Sequence, residues 1–184
     1  MKPFEVPTKD QVSAGSQAIF GQLEKALGRV PNLYATIGLS EATLGSFLGY
    51  GQGLAKGAFN AREREAIFLA VSELNQCQYC LAAHTAIAKM NKFSEEETLQ
   101  LRAGNHPDAG FRAISRLAQD IAASHGKPSE ENLDAFFDAG FNQGALIDLV
   151  ALVTEITFTN YVHKITDVPV DFPLAQPLAA PVHG

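Results

Sequence analysis

The chain has 184 residues, a formal net charge of −6 at pH 7, a hydrophobic share of 46% and a charged share of 18%. Its length suits one domain, or two closely packed halves, and allows about 70% of the unfolded chain's surface to be buried. The composition excludes disorder and fibrous structure. Because lysine and arginine form no cluster and the net charge is negative, nucleic acid is excluded as a partner.

The opening MKPFEVPTKD has no apolar segment after Lys2, so it lacks the features of a secretory signal. The longest uninterrupted apolar run, 66–71, is far shorter than the ~18 residues of a membrane span. The sequence therefore predicts a cytoplasmic protein with no membrane partner. Structural disulfides are rare in that compartment, so Cys77 and Cys80, the only cysteines, indicate redox or metal chemistry.

Helical spacing and capping residues predict an all-α fold, and sustained β-type alternation is absent from the sequence. Asp10 is predicted to cap a helix that runs to about Leu27, and residues 31–39 to form a short helix. Ser40 opens a further helix that ends at Gly57. Four glycines in that helix predict close packing against a neighbour. They are Gly45, Gly49, Gly51 and Gly53.

Asn60 is predicted to cap the central helix, because the apolar run 66–71 makes nearly every face of it hydrophobic. A break is predicted near Asn75 and Gln76, since one helix from Asn60 to Asn91 would be unusually long for a globular domain. A new helix then begins at Cys77. The later predicted helices cover 94–104, 108–124, 128–139 and 142–164, the first of them opened by a capping box.

Residues 165–184 are predicted to form a proline-rich arm of the single domain 1–184, because prolines break helices and favour extended chain. Two interpretations stay open: a loosely attached tail, or an arm that lies on its own domain or on a neighbouring subunit. The second is favoured by apolar side chains that would be costly to leave in water. These are Val170, Phe172, Leu174 and Leu178.

The segments FNAREREAIFLAVSELNQCQY, from Phe59, and FNQGALIDLVALVTEITFTNY, from Phe141, share residues at matching positions. This similarity predicts two related helical halves. Residues 159, 162 and 166 stand where the first segment and its continuation have the cysteines and a histidine, so only the first half carries thiol chemistry.

The segment CQYCLAAHTAIAKM places Cys77, Cys80 and His84 on one side of a helix. At ~100° per residue, Cys77 and His84 lie roughly 20° apart around the axis, and Cys80 roughly 40° from His84. A helix that starts at Cys77 stabilises thiolates through its unsatisfied N–H groups and its dipole. A thiolate attacks peroxides or disulfides, and the second sulfur can resolve the product as a disulfide.

Glu65 is the last charge before the apolar run, where partial desolvation suits a carboxylate to proton transfer. The mixed run 62–65 taken alone favours an exposed charge instead. A zinc site would need four ligands and this helix supplies three, so no metal or other cofactor is predicted. Tyr79 is interpreted as a packing residue, and the same interpretation is favoured for His163, although it could approach the site.

Glu65, eleven intervening residues, Cys77-x-x-Cys80 and three more to His84 resemble the AhpD-like alkyl hydroperoxidases of the wider carboxymuconolactone decarboxylase family. Residues 31–90 are similar to the family core, and NYVHKITDVPVDFP is similar to the ending of its peroxidase-related members. The resemblance implies an all-helical fold with duplicated halves, assembled as a homo-oligomer that is often built on trimers.

The resemblance also implies the roles of the site residues. Cys80 would be the peroxidatic cysteine and Cys77 its resolving partner, at the more exposed first turn of the helix. His84 and Glu65 would form the proton relay, which favours the functional interpretation of Glu65. The best-known type of the family has a histidine immediately before the second cysteine, where this chain has Tyr79, so one proton-handling group is missing or replaced.

The sequence thus predicts a thiol-dependent peroxidase for antioxidant defence. It would reduce an organic hydroperoxide to an alcohol and water, and a dithiol reductant of protein or lipoyl type would recycle it. One alternative is a non-peroxidase member of the same family, of the lactone decarboxylase type, which does not need the cysteine pair. Another is a redox sensor or disulfide-exchange module without turnover.

Overall fold

The computed structural model describes residues 4–178, which form nine α-helices and a short 3-10 turn, with no β-strand in that range. The all-α prediction is confirmed. The helices are α1 (Ala14–Leu27), α2 (Asn32–Ile37), α3 (Glu41–Leu54), α4 (Ala61–Leu74), α5 (Gln78–Met90), α6 (Glu95–Arg102), α7 (Ala109–Ser124), α8 (Glu130–Asp138) and α9 (Gln143–Thr166).

Most helices begin where a side-chain oxygen can accept a backbone N–H, as the capping residues predict. Asn60 and Ser94 form capping boxes for α4 and α6. The predicted cap at Asp10 is wrong, because its carboxylate accepts a hydrogen bond from the Thr8 hydroxyl within a 3-10 turn. Ser13 caps α1 instead by accepting the N–H of Ser16 at 3.2 Å.

The predicted break between α4 and α5 is confirmed. α4 ends at Leu74, and Gln76 takes the left-handed conformation with φ 51°, which terminates the helix. Asn75 stays right-handed and donates from its amide to Asn160 Oδ1 at 2.9 Å. The chain therefore restarts at Cys77 as a new helix N-terminus.

The helix α4 is central, as its apolar run predicts, and packs against α5, α6, α7 and α9. Its residues Ala66, Ile67, Leu69 and Val71 are fully buried. Burying each of the larger side chains contributes about 1.5–3 kcal/mol to folding. The packed α4 is therefore a rigid support for the few polar side chains that it carries.

The helix α9 is long enough, with a mean hydropathy of 1.4, to cross a membrane by length and composition alone. Core helices of soluble proteins meet the same test. Here α9 packs on α3, α4, α5 and α7, and Leu149, Leu152 and Ile156 are buried. Its Asp148 carboxylate accepts the backbone N–H of Ala58 at 2.7 Å. These contacts place one face of α9 against the protein core.

The two similar segments meet in the structure. Asn60 and Asn142 cap α4 and α9, and the rings of Phe59 and Phe141 lie 5.6 Å apart where the two helices begin side by side. The copies then diverge, because α9 continues unbroken through the positions that correspond to the break after α4. Only the first half therefore offers a helix N-terminus to a cysteine pair.

The described part of the C-terminal arm lies on its own domain. It begins after Thr166, where Asp167 is left-handed, slightly later than the predicted residue 165. Val168 is buried, and Asp171 pairs with Arg29 at 2.7 Å. The rest of the predicted arm, residues 179–184, lies outside the described residues.

Candidate functional site

The two cysteine sulfurs sit at the N-terminus of α5. Cys77 is the N-cap residue, and its Sγ accepts the backbone N–H of Cys80 at 3.4 Å. The sulfurs of Cys77 and Cys80 lie 2.9 Å apart, within hydrogen-bond distance of each other. The prediction that the first turn exposes Cys77 is wrong, because Cys77 is 0% exposed and Cys80 2%. The surrounding packing of α4 and α9, rather than the helix itself, decides this.

The surroundings shift the pKa values of the two cysteines in opposite directions. The hydrogen bond with Cys80 lowers the pKa of Cys77 to about 5 against the opposing effect of burial, with help from His163 and the helix N–H. The same bond, together with burial and the neighbouring negative charge, raises the pKa of Cys80 far above its usual range. These opposite shifts favour a reduced pair in which the two sulfurs share one proton and carry one negative charge.

Glu65 and His84 form the second part of the site. Nδ1 of His84 lies 2.8 Å from Oε2 of Glu65, which joins α5 to the rigid α4. Glu65 is only 7% exposed, so the interpretation of an exposed charge is wrong. Burial disfavours charge on the imidazole, but the Glu65 carboxylate outweighs it and the pKa of His84 is raised. The ring of Phe68, 4.9 Å away, packs against His84.

His163 is a site residue that the sequence interpretation undervalued. It is buried on α9, one turn beyond Thr159, whose hydroxyl lies 3.7 Å from Cys80 Sγ. The imidazole helps to lower the pKa of Cys77, and its Nε2 lies 3.1 Å from the carbonyl oxygen of Val168. The spacing of 159 and 163, opposite the cysteine segment in the repeat, was the signal available in the sequence.

Tyr79, which stands before the second cysteine, has a structural role here. Its hydroxyl donates to Asp171 Oδ1 at 2.6 Å and accepts the backbone N–H of Leu33 at 3.1 Å. Its ring lies 5.2 Å from that of His163. The phenol therefore fastens the C-terminal arm to α2 and supports the imidazole from one side.

Glu155 of α9 is a third acidic group that sequence reasoning did not single out. Burial raises its pKa, opposed by the charges of His84 and Arg64. The predicted close packing of the glycine-rich α3 occurs here, because a Cβ at Gly51 would lie 2.5 Å from Glu155 Oε1. Burial and the nearby charge of Glu155 raise the pKa of Tyr34 to about 12.

An open groove of about 700 Å³ between α3 and α9 reaches Glu155. Aromatic side chains dominate its walls, and the rings of Phe47 and Phe158 lie 5.1 Å apart. Tyr34 packs against Phe47 with ring centroids 6.2 Å apart. Tyr34 thus lies between the groove and the charges of Glu155 and Glu65, which raise its pKa. Within residues 4–178, no group of three or more His, Cys, Asp or Glu side chains is placed to hold a metal ion.

Comparisons with known proteins agree with this architecture. Residues 41–123 match the model of the carboxymuconolactone decarboxylase family. This range contains α4, α5, both cysteines, Glu65 and His84, and ends before α9. No curated protein matches the chain.

Solved structures share the fold. A peroxidase-related protein from Silicibacter sp. TM1040 is 24% identical, with a TM-score of 0.78 over 92% of this chain and 94% of that chain. A peroxidase-related protein with an alkylhydroperoxidase AhpD core, from Ralstonia eutropha JMP134, is 22% identical, with a TM-score of 0.78 over 89% and 88%. The debrominase Bmp8 in its apo form is 19% identical, with a TM-score of 0.74 over 92% and 90%.

Proposed function

Because residues 41–123 match the model of the carboxymuconolactone decarboxylase family and the chain has the AhpD-like fold, we propose that it is a thiol-dependent peroxidase that reduces organic hydroperoxides. The observation that carries this proposal is the cysteine pair, with its sulfurs 2.9 Å apart, on the same helix as the partly buried imidazole of His84, which is bonded to the buried carboxylate of Glu65. A thiolate is the form that attacks peroxides.

The pair supplies both electrons of the reaction. One sulfur attacks the terminal oxygen of the hydroperoxide, the O–O bond breaks, and the departing alkoxide takes a proton to become an alcohol. The other sulfur then attacks the resulting sulfenic acid, which releases water and leaves a Cys77–Cys80 disulfide. His84, positioned by Glu65, is suited to give and take these protons. No bound cofactor enters these steps.

The aromatic groove favours hydroperoxides with an apolar organic part, since Phe47 and Phe158 offer apolar surface beside Glu155 in its lining. A cellular dithiol, of protein or lipoyl type, would return the disulfide to thiols. The activity would serve antioxidant defence in the cytoplasm.

The test is consumption of an organic hydroperoxide with several dithiol reductants, repeated on Cys77→Ser/Cys80→Ser. We expect turnover by the wild type and none by the double variant. Ser13→Ala/Ser40→Ala, which removes two helix caps far from the sulfurs in sequence, is a control for general loss of stability. Full activity in the cysteine-free protein would instead support chemistry of the lactone decarboxylase type.

Turnover separates the enzyme from a sensor. A protein whose disulfide forms once with peroxide but is not recycled by any dithiol would support the redox sensor or disulfide-exchange alternative.

Reductive removal of bromide from an aromatic ring is a second use of the same dithiol, favoured by the fold shared with the debrominase Bmp8. The two thiols would again supply two electrons, with the carbon taking a proton and bromide leaving. Parallel assays with an organic hydroperoxide and with a brominated pyrrole distinguish the peroxidase activity from the debrominase activity. Bromide release faster than hydroperoxide loss would replace the peroxidase proposal.

A further inference from the structure

Resting on the peroxidase function above, we propose that Thr159 is a further catalytic residue: its hydroxyl accepts the hydrogen of the Cys80 thiol, and donates its own hydrogen to Cys80 Sγ when that sulfur is a thiolate. Thr159 thereby stabilises the reduced form of Cys80, the sulfur that the family resemblance implies as the nucleophile.

The first support is a contact that joins α9 to the sulfur of Cys80. Thr159 Oγ1 lies 3.7 Å from Cys80 Sγ, which is hydrogen-bond distance for a sulfur atom. Both residues are buried, so bulk water competes little for either atom. Cys80 Sγ thus has two hydrogen-bond contacts of different kinds, the sulfur of Cys77 on its own helix and a hydroxyl from α9.

The second support is the direction of the hydrogen bonds. Thr159 Oγ1 lies 2.9 Å from the carbonyl oxygen of Ile156, which can only accept, so the single hydroxyl hydrogen points there. The hydroxyl oxygen then offers a lone pair to the Cys80 thiol. When the thiol loses its proton, rotation about one single bond turns the hydroxyl hydrogen to the sulfur. The Ile156 carbonyl keeps the backbone N–H of Asn160 within the helix, so this rotation leaves no buried group unpaired.

The third support is the fixed position of Thr159 beside the break between α4 and α5. The next residue, Asn160, is fully buried, donates to Ser72 Oγ at 3.2 Å and accepts the Asn75 amide at 2.9 Å. Lys164 Nζ, one turn later, donates to the carbonyl oxygen of Asn75 at 3.1 Å. These bonds hold α9 against both sides of the break. The hydroxyl therefore meets the sulfur without reorganisation of the backbone.

The electrostatics of Cys80 give this contact a role in the reaction. The hydrogen bond with Cys77, together with burial, raises the pKa of Cys80, whereas hydrogen bonds from Asn160 and Thr159 act in the opposite direction. A thiolate at Cys80 is therefore costly to form. Because a hydrogen bond to a charged group is stronger than one to a neutral group, the hydroxyl stabilises the thiolate more than the thiol. An interaction that strengthens on the way to the nucleophile lowers the barrier.

The reaction balances with these groups. The reduced pair starts with one proton and one negative charge. With the proton on Cys77, the Cys80 thiolate bonds to the terminal oxygen of the hydroperoxide, the O–O bond breaks, and the alkoxide takes the Cys77 proton to become the alcohol. The Cys77 thiolate then attacks the sulfenic sulfur of Cys80, and the departing hydroxide takes a proton from solvent to become water. The protein loses two electrons and the hydroperoxide gains them.

The first experiment measures the equilibrium of the Cys77–Cys80 disulfide with dithiothreitol redox buffers, which needs no peroxidase activity. Thr159→Val keeps the shape of the side chain and removes its hydroxyl. It should shift the equilibrium constant about 3- to 10-fold toward the disulfide, because only the reduced form has the Thr159–Cys80 bond. Thr159→Ser keeps the hydroxyl and should stay within about two-fold of the wild type. An equilibrium unchanged in Thr159→Val overturns the proposal.

Thr166→Val is the matched control. Thr166 is another buried threonine of α9, and its hydroxyl donates to the carbonyl oxygen of Val162 at 2.8 Å. This variant loses a hydroxyl bond to the same helix at a residue that has no hydrogen bond to either sulfur. The equilibrium constant should therefore match that of the wild type. Equal shifts in Thr159→Val and Thr166→Val would assign the effect to the helix and overturn the proposal.

The second experiment isolates the Cys80 nucleophile in Cys77→Ser and follows the trapping of its sulfenic acid by a dimedone-type probe after one equivalent of hydroperoxide. Addition of Thr159→Val should slow adduct formation about ten-fold, whereas addition of Thr159→Ser should leave the rate close to that of Cys77→Ser. In Cys80→Ser, Thr159→Val should not change the rate at Cys77. Equal rates on Cys80 with and without the hydroxyl contradict a catalytic role of Thr159.

Failure of Thr159 as a catalytic residue is distinguishable from failure of the peroxidase function. A shifted equilibrium in Thr159→Val that Thr159→Ser restores, in a protein that consumes no hydroperoxide, would keep the Thr159–Cys80 bond and reject the peroxidase function. Turnover of hydroperoxide with an equilibrium and a trapping rate that are both indifferent to the hydroxyl would keep the peroxidase function and reject Thr159.

Discussion

Nδ1 of His84 on α5 and Oε2 of Glu65 on α4 lie 2.8 Å apart in a hydrogen bond that joins the two helices. The ring of Phe68 packs against the imidazole of His84. Glu65 is 7% exposed, on the central helix α4. The Glu65 carboxylate is therefore held in one position. It orients the imidazole of His84 and raises the pKa of that ring. Two residues separated by the break in the helix act as one unit.

We predict that Glu65→Gln and His84→Ala each slow the reaction of the reduced protein with hydroperoxide by about 10²-fold, because each removes part of a proton-transfer unit. The measurement is a single-turnover assay of thiol loss. Glu96→Gln changes an exposed carboxylate on α6 and serves as the matched control. Rates within about two-fold of the wild type for Glu65→Gln would remove Glu65 from the relay.

The His84–Glu65 bond also predicts a pH dependence of stability. Because the pKa of His84 in the folded protein is raised above its ordinary 6.5, the unfolded chain releases this proton at lower pH than the folded protein does. The stabilisation is fully present below pH 6.5 and is lost as the pH rises through the folded-state pKa. The difference in free energy of unfolding between wild type and His84→Gln should therefore shrink from pH 6 to pH 9 in urea titrations. A constant difference would show that the imidazolium adds nothing.

The hydroxyl of Tyr79 predicts a stability effect in the C-terminal arm. Tyr79→Phe leaves the Asp171 carboxylate and the Leu33 N–H without this partner, which should cost about 1–3 kcal/mol in the free energy of unfolding. Tyr161→Phe is the control, since Tyr161 is 54% exposed. Urea titrations of both variants compare them. If both variants lose equally little free energy of unfolding, the hydrogen bonds of the Tyr79 hydroxyl do not stabilise the arm.

The outer face of α9 supports the prediction of a homo-oligomer. Ile147 and Ile165 are 69% and 62% exposed on this face, with Tyr161 between them. We predict that light scattering shows more than one 19.7 kDa chain per particle, and that Ile147→Lys/Ile165→Lys reduces the particle mass. Met90→Lys, at a residue 78% exposed on α5, should leave it unchanged. A monomeric wild type contradicts this prediction, including the trimer-based assembly.

The sequence by itself determined the helices and the order of the site residues along the chain. Local rules suffice there: Asn60 and Ser94 cap helices because their own side chains reach the following N–H groups, and the apolar run of α4 makes that helix central. The spacing of Cys77, Cys80 and His84 follows from helical geometry. Asp10 fails as a cap because Thr8, two residues away, competes for its carboxylate.

Only the tertiary structure decided the charge state of the site. The sequence places Cys77 at a helix start but does not show that both sulfurs are buried, or that α9 brings the Thr159 hydroxyl within 3.7 Å of Cys80 Sγ. Nor does it show that Glu65 is buried against His84. Protonation depends on desolvation and on charges within a few ångströms, and these come from residues far apart in the chain. The roles of the two cysteines therefore rest on how α9 and the arm pack over the start of α5.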